Sequence, residues 1–474
     1  VGKSIGLRAE LFDAAKNPAS GLPVESLPGN VEAIKAEIRL PNGATQRFDL
    51  RDSDGSGVFR TDFVPTIAGE YALQIIARGQ LPTGEKFVRT SEQTCRVLAG
   101  GARFRRAASA NLIDDERLEI NIPASGLRAG RKVIAYGEVW GRGEDGDEAP
   151  VAWLGGMTVA EGGGLRSRAV LSVVLDARWL ARSAAQTDFE LRNVRIQDAD
   201  YFVTLAEAAS IRLDTPILPA AAAAARRGGS VEITDEMRMG KRPDDFNRTV
   251  AAEAAGGKLM LVHGYCSGGN SFPLAQFSNY IVFNDPNQNR THDQFANLIR
   301  NFGAAYPSFG IVAHSQGGAA SLHLYTYYWS GLDSATGGSR LIQSVGTPYQ
   351  GTALAGNLAA LGSVFGAGCG TNQNLTYSGA AAWLAGIPSW ARAKVHYSTT
   401  SFSDVWWRYD YCNIGTDLFL SDPDDGVVER AYAQLAGANN RGHKTGWCHT
   451  GGMRDPAQTS DATRNADMNA NAAR

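Results

Sequence analysis

Along the first hundred residues, apolar side chains recur at every second position. Ala36, Ile38 and Leu40 form one such run and Tyr71, Leu73 and Ile75 another. A period of two places one face of a strand inward and the other outward. Asn42-Gly43 and Asp54-Gly55 interrupt the runs with residues that tolerate positive φ, as hairpin turns require. Short strands with regular turn signals predict a β-sandwich over residues 1–100. Asp52 and Asp54 read as a polar turn rather than an EF-hand, because Phe63 stands where the twelfth loop position needs Glu. Residues 101–107, with Arg103, Arg105 and Arg106, read as an exposed connector. Alternation resumes at Leu118, Ile120 and Ile122, and Val133–Tyr136 and Val170–Val174 are further strands. They predict a second β domain over 108–214, with Trp140, Trp153 and Trp179 as core anchors in preference to a sugar-binding platform. Pro216, Pro219 and the Arg226-Arg227 pair mark a linker over 215–249.

The pattern changes after residue 250. Leu259–Val262, Ile311–Ala313 and Leu341–Val345 are short, continuous apolar runs, as strands buried on both faces require. Helical stretches lie between them. Thr291 and Gln294 have capping-box spacing ahead of a helix to about Phe302, and a second helix runs from Gly318 to Tyr328. Strands alternating with helices predict a mainly parallel sheet over 250–474. Residues 353–392, rich in Ala, Gly, Leu and Trp, read as an insert that caps or lids this domain.

The chain has 474 residues, enough for two to four domains. Its formal charge of −2 supplies no basic field for nucleic acid or an anionic membrane. No apolar run is long enough to span a bilayer as a helix. The oligomeric state is not encoded in any pattern. The chain opens at Val1 without a basic and apolar leader, as expected of a processed or trimmed form. Four of five cysteines, Cys266, Cys369, Cys412 and Cys448, follow residue 260. Two disulfides among them are expected in an exported protein, extracellular or periplasmic, with three possible pairings. Cys95 is the odd thiol.

All seven histidines lie after residue 262, so acid–base chemistry is expected in that half. Ala313-His314-Ser315-Gln316-Gly317 stands between a strand and a helix, with small residues two before and two after the serine. A cramped turn that lifts a hydroxyl above a sheet needs that spacing. His263-Gly264-Tyr265 follows the first buried strand. The N–H groups of Tyr265 and Gln316 are placed to hold an oxyanion, and His263 is expected to hold the loop.

On these motifs residues 255–455 resemble the α/β-hydrolase superfamily and, within it, bacterial lipases and esterases. Gly346–Thr352 is similar to that family's Gly-Thr-Pro stretch, Asp424–Val428 to its acid loop, and Cys448–Met453 to its base loop. The resemblance implies a C-terminal α/β-hydrolase domain behind two β-sandwich-like domains. It implies Ser315 as nucleophile, His449 as base and Asp425 as acid, with an acyl-enzyme intermediate. Asp424, Asp404 and Asp417 compete for the acid's role and His443 for the base's. Phe365, Trp383, Trp390 and Trp406 are expected to bind the acyl chain of a small-molecule, lipid or polymeric ester. No cofactor is expected; related lipases hold a structural calcium, but the ligand set near Asp285 is incomplete. Polyester depolymerase, peptidase and acyltransferase chemistry on the same residues are alternatives. So is a binding or signalling protein that uses the hydrolase fold without catalysis. The first 100 residues loosely resemble bacterial immunoglobulin-like modules.

Overall fold

A computed structural model describes residues 1–11, 30–81, 83–162, 168–183, 185–215, 231–243, 257–356, 369–403, 420, 423–451 and 455–474. They fall into two units. One holds residues 1–99, 249–326 and 330–474; the other holds 100–248 with 327–329.

The first unit begins with β1 (Ile5–Glu10), β2 (Asn30–Arg39), β3 (Thr45–Leu50), β4 (Val58–Phe63), β5 (Gly69–Gln80) and β6 (Lys86–Val97). An antiparallel sheet ordered β3-β2-β5-β6 faces the β1-β4 pair. The period-two residues Ile34, Ala36, Ile38 and Tyr71 form its core with Leu7, Leu50 and Phe63. Gly43 takes φ +85° at the β2–β3 turn and donates to the carbonyl of Leu40 at 2.9 Å. The Asp52–Ser56 loop is a polar turn: the amides of Ser56 and Gly57 donate to the Asp52 carboxylate at 3.1 and 2.9 Å.

The second unit contains β7 (Arg103–Phe104), β8 (Ala107–Asp114), β9 (Arg117–Ser125), β10 (Lys132–Arg142), β11 (Glu148–Val159), β12 (Arg168–Asp176), α1 (Ala177–Arg182), β13 (Thr187–Asp198), β14 (Thr204–Asp214) and α2 (Asp235–Met239). Its main sheet is ordered β11-β10-β13-β14-β8-β9-β12, and β7 pairs with β9. The stretch read as a connector therefore carries a strand. Arg103, Arg105 and Arg106 are exposed, while the backbone of β7 pairs with the end of β9. Ile120, Ile134, Leu171, Leu191 and Ile196 are buried along the sheet. Trp153 corrects a second expectation. It is 47% exposed, whereas Trp179 is half-buried and its indole donates to the Met237 carbonyl at 2.6 Å.

The C-terminal part of the first unit contains β15 (Lys258–Val262), β16 (Tyr280–Val282), α3 (His292–Gly303), β17 (Phe309–His314), α4 (Gln316–Tyr327), β18 (Ile342–Val345), α5 (Tyr377–Leu384), α6 (Ser389–Arg392), β19 (Val395–Ser401), β20 (Asn439–Thr445) and α7 (Ala462–Asn471). The strands form one sheet, β16-β15-β17-β18-β19-β20, with every pair parallel. All six residues of β17 and all four of β18 are buried, which is why those segments read as unbroken apolar runs. Thr291 caps α3 through both capping-box hydrogen bonds, and Phe295, Ala296 and Ile299 line the helix's inner face. The parallel sheet sends β15 and β17 into loops at the same end, and the candidate site stands there.

Candidate functional site

Ser315 occupies the bend between β17 and α4 with φ +55°, in the left-handed region that β-carbon-bearing residues avoid. Three backbone hydrogen bonds pin it there. Its amide donates to the Val345 carbonyl at 3.1 Å, and its carbonyl accepts from the Thr347 hydroxyl at 2.8 Å and the Gly318 amide at 3.0 Å. The small residues around it are sterically required. A β-carbon on Gly317 would strike the His263 carbonyl, and one on Gly318 the Thr347 hydroxyl. Ser315 lines a recess of about 420 Å³ with Tyr265, Ser267, His314, His449, Thr450 and Thr459. Among the described residues its hydroxyl takes no hydrogen-bond partner.

The structure brings His449 and Asp425 together. His449 Nδ1 lies 2.8 Å from Asp425 Oδ2, and the His449 amide donates to the Asp425 carbonyl at 2.7 Å. Asp425 Oδ1 accepts the amides of Val427 and Val428 at 3.0 and 2.7 Å, so the carboxylate also shapes its own loop. Neither side chain exceeds 2% exposure. Asp424 turns away to bond the Gly426 amide. His443 sits on β20 between the hydroxyls of Thr399 and Ser401, and burial followed by Arg430 lowers its imidazole to about 4. Asp404 and Asp417 lie outside the described residues.

Gln458 ties the cluster together, and no sequence signal marked it. Its amide nitrogen donates to Asp425 Oδ2 at 3.0 Å and lies 3.2 Å from His314 Nε2, while its oxygen accepts the Thr400 hydroxyl at 2.5 Å. The rings of His314 and His449 are 4.6 Å apart. Burial, reinforced by His449, holds the His314 imidazole far below the usual histidine range. His263 holds its loop: Nδ1 donates to the Gly264 carbonyl at 2.9 Å, and Nε2 accepts the Asp285 amide at 2.8 Å.

Tyr265 lines the recess and Gln316 follows Ser315, and their side chains bond elsewhere. The Tyr265 hydroxyl donates to the Gly370 carbonyl, and burial raises its phenol to about 12. The Gln316 side chain donates to the Arg290 carbonyl at 2.8 Å. Trp383, expected in an acyl site, is instead 1% exposed and donates to His323 Nδ1 at 3.1 Å. Its indole fills the space between α3 and α4, where a large apolar ring is worth more than at a surface. Trp390 packs its ring 5.7 Å from Tyr325. Phe365, Trp406 and Cys412 lie outside the described residues. Cys266 and Cys369 form a disulfide between the recess wall and a strap that includes residues 369–375; Cys448 is buried and Cys95 is a free thiol.

The chain is thus a modular protein in which two immunoglobulin-like domains precede a domain built on a parallel sheet. It belongs to the conditioned medium factor family. The second and third immunoglobulin-like domains of that family match residues 1–97 and 134–241, and its C-terminal domain matches 254–472. Conditioned medium factor of Dictyostelium discoideum is 36% identical along 489 aligned positions, covering 97% of this chain and 67% of the relative. Among solved structures, a DUF4785 family protein of Legionella pneumophila is 14% identical over 44% of this chain and 52% of its own, with a TM-score of 0.28. A cycloalternan-degrading enzyme of Trueperella pyogenes is 9% identical over 84% of this chain and 60% of its own, at 0.18. Likenesses that slight carry no argument.

The family overturns the ester-hydrolase expectation. The three matching domain descriptions are all of conditioned medium factor and none is of a hydrolase. The lipase, esterase and catalytic-triad readings and the ester substrate fall with it. The physical reason is that strand–bend–helix spacing specifies backbone geometry, and the same bend serves proteins of unrelated function. The immunoglobulin-like domains and a disulfide stand. The protein is secreted, as a factor of conditioned medium is, and no helix among the described residues is long and apolar enough to cross a membrane.

Proposed function

We propose that the protein is a non-catalytic signalling factor that is released into the medium and acts by binding. In this reading the C-terminal domain uses an α/β-hydrolase-type scaffold without its chemistry. Membership of the conditioned medium factor family along 97% of the chain carries the reading. The recess is consistent with it. Ser315 and His449 line one recess, and among the described residues the Ser315 hydroxyl takes no hydrogen-bond partner. The Asp425–His449 pair is engaged in holding loops together. Ser315 and His449 then serve as walls of a recognition recess, with Asp425 bonded to His449 Nδ1, rather than as reacting groups.

The test has two arms. A fluorophosphonate probe and p-nitrophenyl esters of increasing chain length are offered to the purified chain. No adduct on Ser315 and no turnover above the Ser315→Ala variant are expected; a stoichiometric adduct would overturn the reading. In the second arm, fluorescently labelled protein is added to cells of the organism that secretes it. Saturable surface binding that survives Ser315→Ala supports a binding factor, and its absence counts against one.

A further inference from the structure

The second unit contains a feature that the C-terminal recess does not explain. Across one face of the sheet formed by β8, β14, β13, β10 and β11 runs a groove of about 860 Å³. That is within the size range of small-molecule and cofactor sites, and most of the residues that line it are polar or charged, their aliphatic stems adding apolar surface. Side chains alternate along each strand, so residues two apart share this face. Ser109 and Asn111, Ser210 and Arg212, and Glu190 and Arg192 do so.

The groove's charges nearly cancel. Arg142, Arg192 and Arg212 stand against Glu148, Asp188, Glu190 and Asp214. Most are already paired. Arg192 bridges Glu148 at 2.8 Å and also binds Glu190, Arg212 holds Asp214 at 2.9 Å, and the Ser210 hydroxyl donates to Glu190 at 2.6 Å. Pairing leaves little net field for a polyanion or polycation. It restrains the guanidinium of Arg192, the least exposed of the three, before any ligand arrives, which reduces the entropy lost on binding. The guanidinium of Arg192 is further immobilised 4.6 Å over the Trp140 ring.

Three observations narrow the ligand. The lining has almost no apolar side chain at its surface, since Phe189 and Leu213 are buried beneath it; this disfavours a lipid or an apolar peptide anchor. The groove is a sheet face rather than an open edge, so an extended peptide finds no main-chain ladder to join. The side chains of Asn111 and Asp188 line it with no hydrogen bond or ion pair among the described residues, and Asp188 is held at φ +48°. A non-glycine residue kept in that region marks a position where the surrounding structure sustains strain, a recurrent trait of ligand sites.

We propose that this groove binds a neutral oligosaccharide. Hydroxyl groups both donate and accept, and they match a surface that offers guanidinium donors beside carboxylate acceptors. The proposal is independent of what the C-terminal recess does.

The experiment uses the full chain and isothermal titration with neutral hexasaccharides: β-1,4-glucan, β-1,3-glucan, α-1,4-glucan, chitin and mannan fragments. At least one is expected to bind saturably. Asn111→Ala and Asp188→Gly are expected to weaken that binding about tenfold each. Asp188→Gly also relaxes the positive φ, so loss of fold is not its expected outcome, and a melting temperature lowered in neither variant is the control. Absence of binding to all five sugars overturns the proposal. Binding unaltered by both variants, or binding of a sulfated oligosaccharide or a mixed-charge peptide in preference to the neutral sugars, overturns it equally.

Discussion

Gly264 lies against Ser315 so closely that a β-carbon there would overlap the serine's own and stand 3.0 Å from its hydroxyl oxygen. The loop after β15 can approach the bend after β17 only because this residue has no side chain. Gly264→Ala is therefore expected to destabilise the chain by about 2–3 kcal/mol through overpacking. Urea unfolding would show it as a lower midpoint. Ser315→Gly in the same chain should restore most of the loss, and a double variant no more stable than Gly264→Ala alone would contradict the contact.

Ser315→Gly alone carries the opposite sign. The φ of +55° is strained for serine and ordinary for glycine. Removing the β-carbon should stabilise the fold by about 1 kcal/mol. A lower denaturation midpoint would mean that the side chain contributes more than the strain it causes.

Acid should weaken the protein over a definite window. His292 and His314 are fully buried, and burial is the main cause that holds both imidazoles well below the ordinary value of about 6.5. Because the folded values are depressed, the unfolded chain binds the extra protons. Their contribution is complete above about pH 6.5 and declines as pH falls below it, by about 1.4 kcal/mol per pH unit for each ring. Urea titrations at pH 7.5, 6.5 and 5.5 would reveal a level region followed by a fall. Replacing His314 by Gln should make the acid slope shallower.

Gln458 is expected to matter as much as the residues it joins. Gln458→Ala leaves the Thr400 hydroxyl, His314 and Asp425 short of a buried partner. A loss of about 3 kcal/mol is expected, with a shift in the His314 and His449 ring resonances by NMR. Gln458→Glu retains the size and the acceptor but places a carboxylate beside Asp425. It should be no better tolerated at neutral pH.

The Cys266–Cys369 bond closes a loop over a sequence separation of 103 residues. Loop-closure entropy assigns such a crosslink about 3–5 kcal/mol. Cys369→Ser should lower the melting temperature and raise amide exchange in residues 369–375. Unchanged exchange there would show that the hydrogen bonds from Asn289 to the carbonyls of Cys369 and Thr371 suffice to hold the strap.

Much of the architecture was readable because burial leaves a periodic trace. Ile34, Ala36 and Ile38 alternate because one face of β2 meets a core. The β17 run is unbroken because both of its faces are covered. The cap at Thr291 was readable from two residues. The bend at Ser315 was also readable, since only small residues fit around it, but its chemistry was not. Spacing records where a backbone turns and is silent on whether a hydroxyl is used. Gln458 left no trace because its partners lie 33, 58 and 144 positions away and a single amide has no pattern. Trp153 misled because aromatic size suggests burial while the local sheet face lies open.

The strap touches the rest of its unit on both sides. Tyr265 bonds Gly370 from the recess, while the Thr371 hydroxyl donates to Glu70 of β5 at 2.9 Å. Nearby, Gly356 fits so tightly on β6 that a β-carbon would come within 2.7 Å of Gln93 Cα. The amino-terminal module is therefore more than a spacer. A shortened chain that lacks it would uncover a surface shaped for close contact, and cleavage between the two would leave fragments that stay associated until the strap is released.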